Sequence, residues 1–227
     1  MSGKEFDKRK KLFASLNILA LVLVFGLLAW NYSAEGFLYV VAQGEAGAVM
    51  NYFAEYSFWE KSLIAIGLVL VEVIVGIIPA IAMYPIIGLV VGDVWALVLI
   101  SFGNAVGNSF NYLQGKFIAG AFVKNEKYLK LIERMKGGGV KELVLIRLNP
   151  ITSIDSVSYF AGALGMKYWK FLIATVVGVT PLIVVGTLVG TEVLQKYDNA
   201  LNLLMAGVGL FVVWVVGKKV WETWKKT

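Results

Sequence analysis

The sequence predicts an all-α integral membrane protein with four full transmembrane helices plus two opposed re-entrant helical hairpins, arranged as an inverted repeat. Three observations lead there. Of 227 residues, 59% are hydrophobic and only 16% charged, with a mean hydropathy of +0.75; soluble domains carry ~25% charge. No Lys or Arg falls between Lys61 and Lys116, where the chain is apolar apart from Glu72 and Asp93. The remaining Lys and Arg sit largely in short blocks beside apolar runs, which sorts the loops to the two sides of a membrane.

The elements follow in order. Lys4, Lys8, Arg9, Lys10 and Lys11 precede an apolar run over 12–30. That run exceeds the ~7–15 residues of a signal-peptide core, so a retained signal anchor is expected. Residues 34–60 read as an outer-face segment with an interfacial helix anchored by Met50, Phe53, Phe58 and Trp59. The stretch from 62 to 115 is too long for one span of ~20 residues. It divides into a hairpin over about 62–88, turning near Pro79–Pro85, and a span beyond Trp95. Residues 124–136 form a basic amphipathic helix ended by Gly137, Gly138 and Gly139. A second hairpin spans about 143–165 and turns after Asn149 and Pro150, ahead of spans at 168–190 and 201–217. Three regions result: 1–61 with the anchor and outer segment, 62–190 with both hairpins, and 191–227 with the last span and a basic tail.

Charge placement fixes the parity. Residues 1–11 carry five basic groups against two acidic ones, and 31–61 carry Glu35, Glu45, Glu55 and Glu60 against Lys61. Residues 116–142 carry seven basic groups against Glu126, Glu133 and Glu142. Glu192 and Asp198 oppose Lys196 in 191–200, and the tail holds Lys218, Lys219, Lys225 and Lys226 against Glu222. The order reads in, out, in, out, in, with both termini cytoplasmic. Six straight spans (12–30, 62–83, 86–112, 143–164, 168–190, 201–217) would strand the basic 116–142 segment outside. Two hairpins that enter and leave on one side restore the parity, and they enter from opposite faces as an inverted repeat requires. Gly88 and Trp95 also have the same separation as Gly162 and Trp169.

Composition removes several function classes. The chain has no His and no Cys, so imidazole or thiolate metal sites, a Ser-His-Asp triad and disulfides are excluded. Neither Gly-x-Ser-x-Gly nor an acidic metal cluster is present, and no enzymatic activity, metal or cofactor is expected. The net charge of +6 is distributed along membrane flanks, so nucleic acid is not an expected partner. Membrane lipids are, and a homo-oligomer is compatible with the sequence. The compact chain without targeting tags suits a prokaryotic plasma membrane.

Four ionised residues lie within or beside apolar stretches: Glu72, Asp93, Arg147 and Asp155. A charge at mid-bilayer costs ~2.5–3.5 kcal/mol on insertion scales, so such groups pair, face water or bind a proton. Glu72 sits on the entering limb of the first hairpin. Arg147 and Asp155 flank the break of the second, in the polar run from Arg147 to Ser156. Arg147 could neutralise Glu72 or Asp155, leaving the other acid free to titrate. Asp93, after Gly92, reads as a helix N-cap. Asn104, Asn108 and Asn111 with Gly103 and Gly107 fall near one helix face and read as close packing with interhelical hydrogen bonds.

These residues carry a resemblance. Glu72, Pro79, Gly88, Gly92, Gly103, Gly107, Tyr112 and Gly115-Lys116 form one series. Arg147-Leu148-Asn149-Pro150, Asp155, Ala161-Gly162, Trp169, Phe171, Gly178 and Pro181 form another. Over roughly 62–190 the chain resembles the DedA/VTT superfamily, also called SNARE-associated proteins, and is nearer its VTT branch. The resemblance implies opposed re-entrant hairpins, a role in moving lipids or lipid-linked phosphates between leaflets, and dependence on the proton-motive force. It aligns Glu72 with the family's essential acid and Arg147 with its first essential arginine. The DedA branch has a further acid where this chain has Ile81, and a further arginine where it has Ser153. The expected function is therefore lipid scrambling or flipping, with or without coupling to protons. The alternatives are a proton- or cation-coupled transporter of a small solute and a non-transporting membrane scaffold.

Overall fold

The computed structural model describes residues 12, 15, 19, 22–43, 45–75, 80–117, 139–148 and 154–197, with backbone alone for Val75, Ile81 and 154–156. Several expectations concern residues outside that set: the basic N-terminus, Pro79, the 124–136 helix, Asn149 with Pro150, and the span and tail over 201–227. Among the described residues every regular element is helical. In order these are α1 (Val22–Ser33), α2 (Phe37–Ala42), α3 (Ala46–Tyr52), α4 (Phe58–Val75), α5 (Ala80–Val91), α6 (Asp93–Phe117), α7 (139–148), α8 (Ile154–Ala163) and α9 (Tyr168–Val184). A π-helical turn (Val185–Val189) joins α9 without interruption to α10 (Gly190–Lys196).

Helix α4 begins with a reciprocal cap. The Ser57 amide and hydroxyl donate to Glu60 Oε2 at 2.8 and 2.7 Å, and the Glu60 amide donates back to Ser57 Oγ at 3.4 Å. Both hydrogen bonds hold the Glu60 carboxyl below the usual glutamate range. Helices α4 and α5 lie antiparallel, with Ile64, Ala65 and Leu68 beside Ile86, Ile87, Val90 and Val91. The chain then reverses at Gly92, whose φ of +84° suits only glycine. The same plan recurs. Leu143 and Ile146 of α7 pack with Val157, Phe160 and Ala161 of α8. Gly165, at φ +67°, closes α8: its amide donates to Gly162 O, and the Met166 amide donates to Ala161 O. Two helix pairs, α4–α5 and α7–α8, each ending at a left-handed glycine, thus precede two long helices that carry exposed Trp95 and Trp169 in their first turns.

Three expectations need correction. Pro85 is not at the hairpin turn but inside α5, because the apolar helix continues past it while leaving one backbone acceptor without its usual donor. The outer segment is not one interfacial helix: α2 and α3 fold back, burying Val40, Val41, Val49 and Phe53 with Ile86, Leu89 and Leu194. Phe53 is therefore core rather than an anchor, while Met50, Phe58 and Trp59 stay exposed. Gly92 occupies the position ahead of α6, and Asp93 is that helix's first residue, where its charge opposes the positive helix end.

Polarity is reversed relative to a water-soluble bundle. Trp95, Val98, Phe102, Val106, Phe110, Leu113 and Phe117 form an exposed apolar stripe down α6. Its opposite face buries Gly103, Asn104, Gly107, Asn108, Asn111 and Gly115. The continuous helix Tyr168–Lys196, 29 residues long, is long and apolar enough to cross a membrane. At 1.5 Å per residue it reaches ~43 Å, against a hydrocarbon core of ~30 Å.

Close packing sets the frame of the interior. Val69 and Val73 of α4, both fully buried, seat on Gly103 and Gly107; an added Cβ at either glycine would lie 2.8 Å from a valine methyl. Gly115 and Gly162 bring the backbones of α6 and α8 together, since a Cβ at either would run into the Tyr159 or Tyr112 carbonyl. Gly190 clears Pro85 and Gly88 clears Thr191, letting α5 lie against the end of the long helix.

Candidate functional site

At the centre of this frame lies a column of polar side chains supplied by α6. Asn104, Asn108 and Asn111 are four and three residues apart, so they share one face over roughly 10 Å of helix. Each reaches a different neighbour. Asn104 Nδ2 donates to Tyr84 Oη of α5 at 2.9 Å and to Ile100 O at 3.2 Å. Asn108 Nδ2 donates to Asn104 O at 3.0 Å. Asn111 Nδ2 donates to Val73 O in the last turn of α4 at 2.8 Å. The asparagines thus do pair across helices, as their spacing predicts.

Arg147 enters this column from α7. It is only 2% exposed. Its Nη2 donates to Ser158 Oγ of α8 at 2.7 Å and its Nη1 to Asn108 Oδ1 at 3.4 Å. Ser158 Oγ in turn donates to Asn108 Oδ1 at 2.5 Å, so arginine, serine and asparagine close a three-membered ring of hydrogen bonds. The guanidinium carbon lies 5.7 Å from the centre of the Phe171 ring. Gly178 of α9 makes room for the arginine stem: a Cβ there would meet Arg147 Cβ at 2.8 Å and Cδ at 3.2 Å. Four helices therefore position one cation.

The other expected residues sort as follows. Glu72 is buried, 7% exposed, in the last turn of α4, one residue before the Val73 carbonyl that Asn111 holds. The α4 backbone beside Glu72 and the Arg147 guanidinium are both held by asparagines of α6, at Asn111 and Asn108. Asp155 belongs to the first turn of α8, and its side chain lies outside the described residues. Pro79, Asn149 and Pro150 lie outside them too. Gly103, Gly107, Gly162 and Gly178 are packing glycines, Gly88 is a contact for Thr191, and Gly92 is a turn. Among the described residues no cluster of His, Cys, Asp or Glu could hold a metal ion.

Sequence reasoning missed Ser158, Tyr84 and the pair Gly186, where an added Cβ would lie 3.2 Å from the Tyr84 ring, and Gly190. The glycines carried a usable signal, small residues four apart in an apolar run. Ser158, 11 residues from Arg147 and on the next helix, carried none.

A family model, the VTT domain, matches residues 78–192. The chain belongs to the VTT-domain family. No curated protein and no solved structure matches it. The matched region covers α5, α6, the Arg147 ring and α9 and ends at residue 192, within α10. Together with the exposed apolar stripe on α6 and the apolar helices, this makes the chain an α-helical membrane protein.

Proposed function

We propose that this VTT-domain protein moves phospholipid or lipid-linked phosphate between the leaflets of a plasma membrane, coupled to protons. The α4–α5 and α7–α8 pairs act as re-entrant hairpins from opposite faces, within four full crossings. One observation carries this reading: a guanidinium buried among helices whose outer faces are apolar, held by Asn108 and Ser158. Bringing such a charge to bilayer depth costs ~2.5–3.5 kcal/mol, and folding alone would be served by an apolar side chain of similar size. Retaining it is an expense that function explains. A planar fork of N–H donors matches phosphate oxygens. Glu72, or Asp155 in the first turn of α8, then takes up the proton.

The test is loss of leaflet asymmetry in liposomes containing the purified chain. Arg147→Gln keeps donors near Ser158 and Asn108 while removing the charge, and translocation should fall at least tenfold. Equal rates for wild type, Arg147→Gln and empty liposomes would refute the reading.

A further inference from the structure

Gly88, in the last turn of α5, is faced by oxygen-bearing side chains from α6 and from the far end of the long helix. A Cβ on Gly88 would run into Thr191 Oγ1 of α10 and would lie 3.2 Å from Asp93 Oδ1 at the start of α6. The Thr187 methyl, from the π-helical turn, lies 3.2 Å from the same point. Thr187 and Thr191 are fully or almost fully buried. Two of the three side chains carry an unanswered oxygen: Asp93 Oδ1 and Thr187 Oγ1 are both shielded from solvent and meet no hydrogen-bond partner. Thr191 Oγ1 donates a long bond to Pro85 O, at 3.3 Å.

With the Thr191 proton directed at Pro85, what meets beside Gly88 is a set of lone pairs that includes a carboxylate oxygen. A buried acceptor left without a donor is costly, and a charged one more so. A cation answers all of these oxygens at once. Turning Thr187 about χ1 by about 120° exchanges its methyl for its hydroxyl and adds a further oxygen. One carboxylate among neutral oxygens is not a set for a divalent or transition metal, which takes several carboxylates or nitrogen and sulfur ligands. It suits a small monovalent ion. The surroundings agree: helices whose regularity is broken supply cation ligands inside membrane proteins, and here Pro85 within α5 packs on Gly190 directly after the π-helical turn. Exposed Gly92, next to Asp93, leaves a way in.

We propose that Asp93, Thr187, Thr191 and the Pro85 carbonyl bind a monovalent cation of sodium's size, which fastens the α5–α6 turn to the end of the long helix. The site is separate from the Arg147 ring: Thr191 lies ~20 Å further along the rod than Gly178, which makes room for the arginine stem. It does not rest on lipid translocation. A ligand that binds only the folded chain raises the melting temperature as its concentration rises. The purified chain is therefore melted in detergent with sodium chloride raised from about 1 to about 100 mM, choline chloride holding the ionic strength constant.

Wild type should gain about 3 °C or more over that range, and equilibrium binding of radioactive sodium should saturate at one ion per chain. Asp93→Asn removes the charge, and Thr191→Val keeps the shape while removing the hydroxyl; each should abolish most of the gain. Glu192→Gln neutralises an exposed carboxylate beside Thr191 and should keep it. If Asp93→Asn does not fold, Thr191→Val and the binding isotherm of wild type decide. No sodium-dependent gain in wild type, or an equal gain in Asp93→Asn or Thr191→Val, overturns the site. So does a melting temperature that follows pH but not sodium, which would put a proton alone on Asp93. None of these readouts involves lipid movement, so a failed translocation assay leaves the site standing, and a failed sodium response leaves the proposed function standing.

Discussion

Two glycine-to-alanine changes in this chain should have opposite signs. At Gly162 the new methyl would run into the Tyr112 carbonyl and lie 2.9 Å from the Lys116 amide. Both are backbone atoms, so no side-chain rotation relieves the clash and α8 must move off α6. Overpacking of this kind costs ~1–3 kcal/mol, and rigid backbone on both sides places Gly162→Ala at the upper end. At Gly67, in the middle of α4, nothing lies within 4 Å of the added atom. There the change only removes backbone freedom from the unfolded chain, a gain of ~0.5–1 kcal/mol. Thermal unfolding of the purified chain in detergent, followed by tryptophan fluorescence, separates the two. For a chain of this size 1 kcal/mol corresponds to ~2–4 °C. Gly162→Ala should melt several degrees below wild type and Gly67→Ala slightly above it. Equal shifts for both, or a neutral Gly162→Ala, would refute the backbone contact between α6 and α8.

Three further outcomes follow from the hydrogen bonds. Arg147→Lys offers a single ammonium to Ser158 and Asn108; losing one charge-assisted bond should lower stability by ~1.5–3 kcal/mol, read by the same melt, and reduce lipid translocation. Asn108→Ala strips the acceptor shared by Arg147 and Ser158 and should cost ~1–3 kcal/mol, whereas Asn111→Ala should loosen α4 from α6 without changing an engineered Ser158→Cys thiol's reactivity. Ser57→Ala should destabilise by ~0.5–2 kcal/mol through loss of the cap. Since Glu60 titrates lower when folded, its contribution is present above the ordinary carboxylate range and fades as pH falls through the lowered value. Acidification from about pH 6 to about pH 3 should therefore lower the melting temperature of wild type more than that of Ser57→Ala.

Much of this architecture was legible because it rests on local rules. Apolar periodicity and small residues placed α6, its asparagine face and its valine-seating glycines, and the repeated Gly–Trp spacing marked two chain reversals. Glu72 and Arg147 stood out because charge within apolar sequence is costly; both are buried, and Arg147 bonds to Asn108 of α6. Pro85 misled because proline in an apolar run reads as a stop, yet a helix packed on a neighbouring long helix tolerates one missing donor. Phe53 misled because exposure of an aromatic beside charged residues depends on where α2 and α3 fold, which is a tertiary matter. Ser57 and Glu60 were readable as a serine followed three residues later by glutamate, but only Glu60 entered the reading, as a charge. Ser158 was beyond reach, since its role exists only once two helices meet.

The wide turn at Val185–Val189 lets one long rod serve two masters. An α-helix that takes in one surplus residue at such a turn is rotated by ~100° beyond it. Upstream, Gly178 is aimed at Arg147; downstream, Gly190 and Thr191 are aimed at Pro85 and Gly88. Excising a single residue from 185–189 would leave the rod's length almost unchanged but swing its far end, so that Gly190 no longer meets Pro85 and Thr191 no longer meets Gly88.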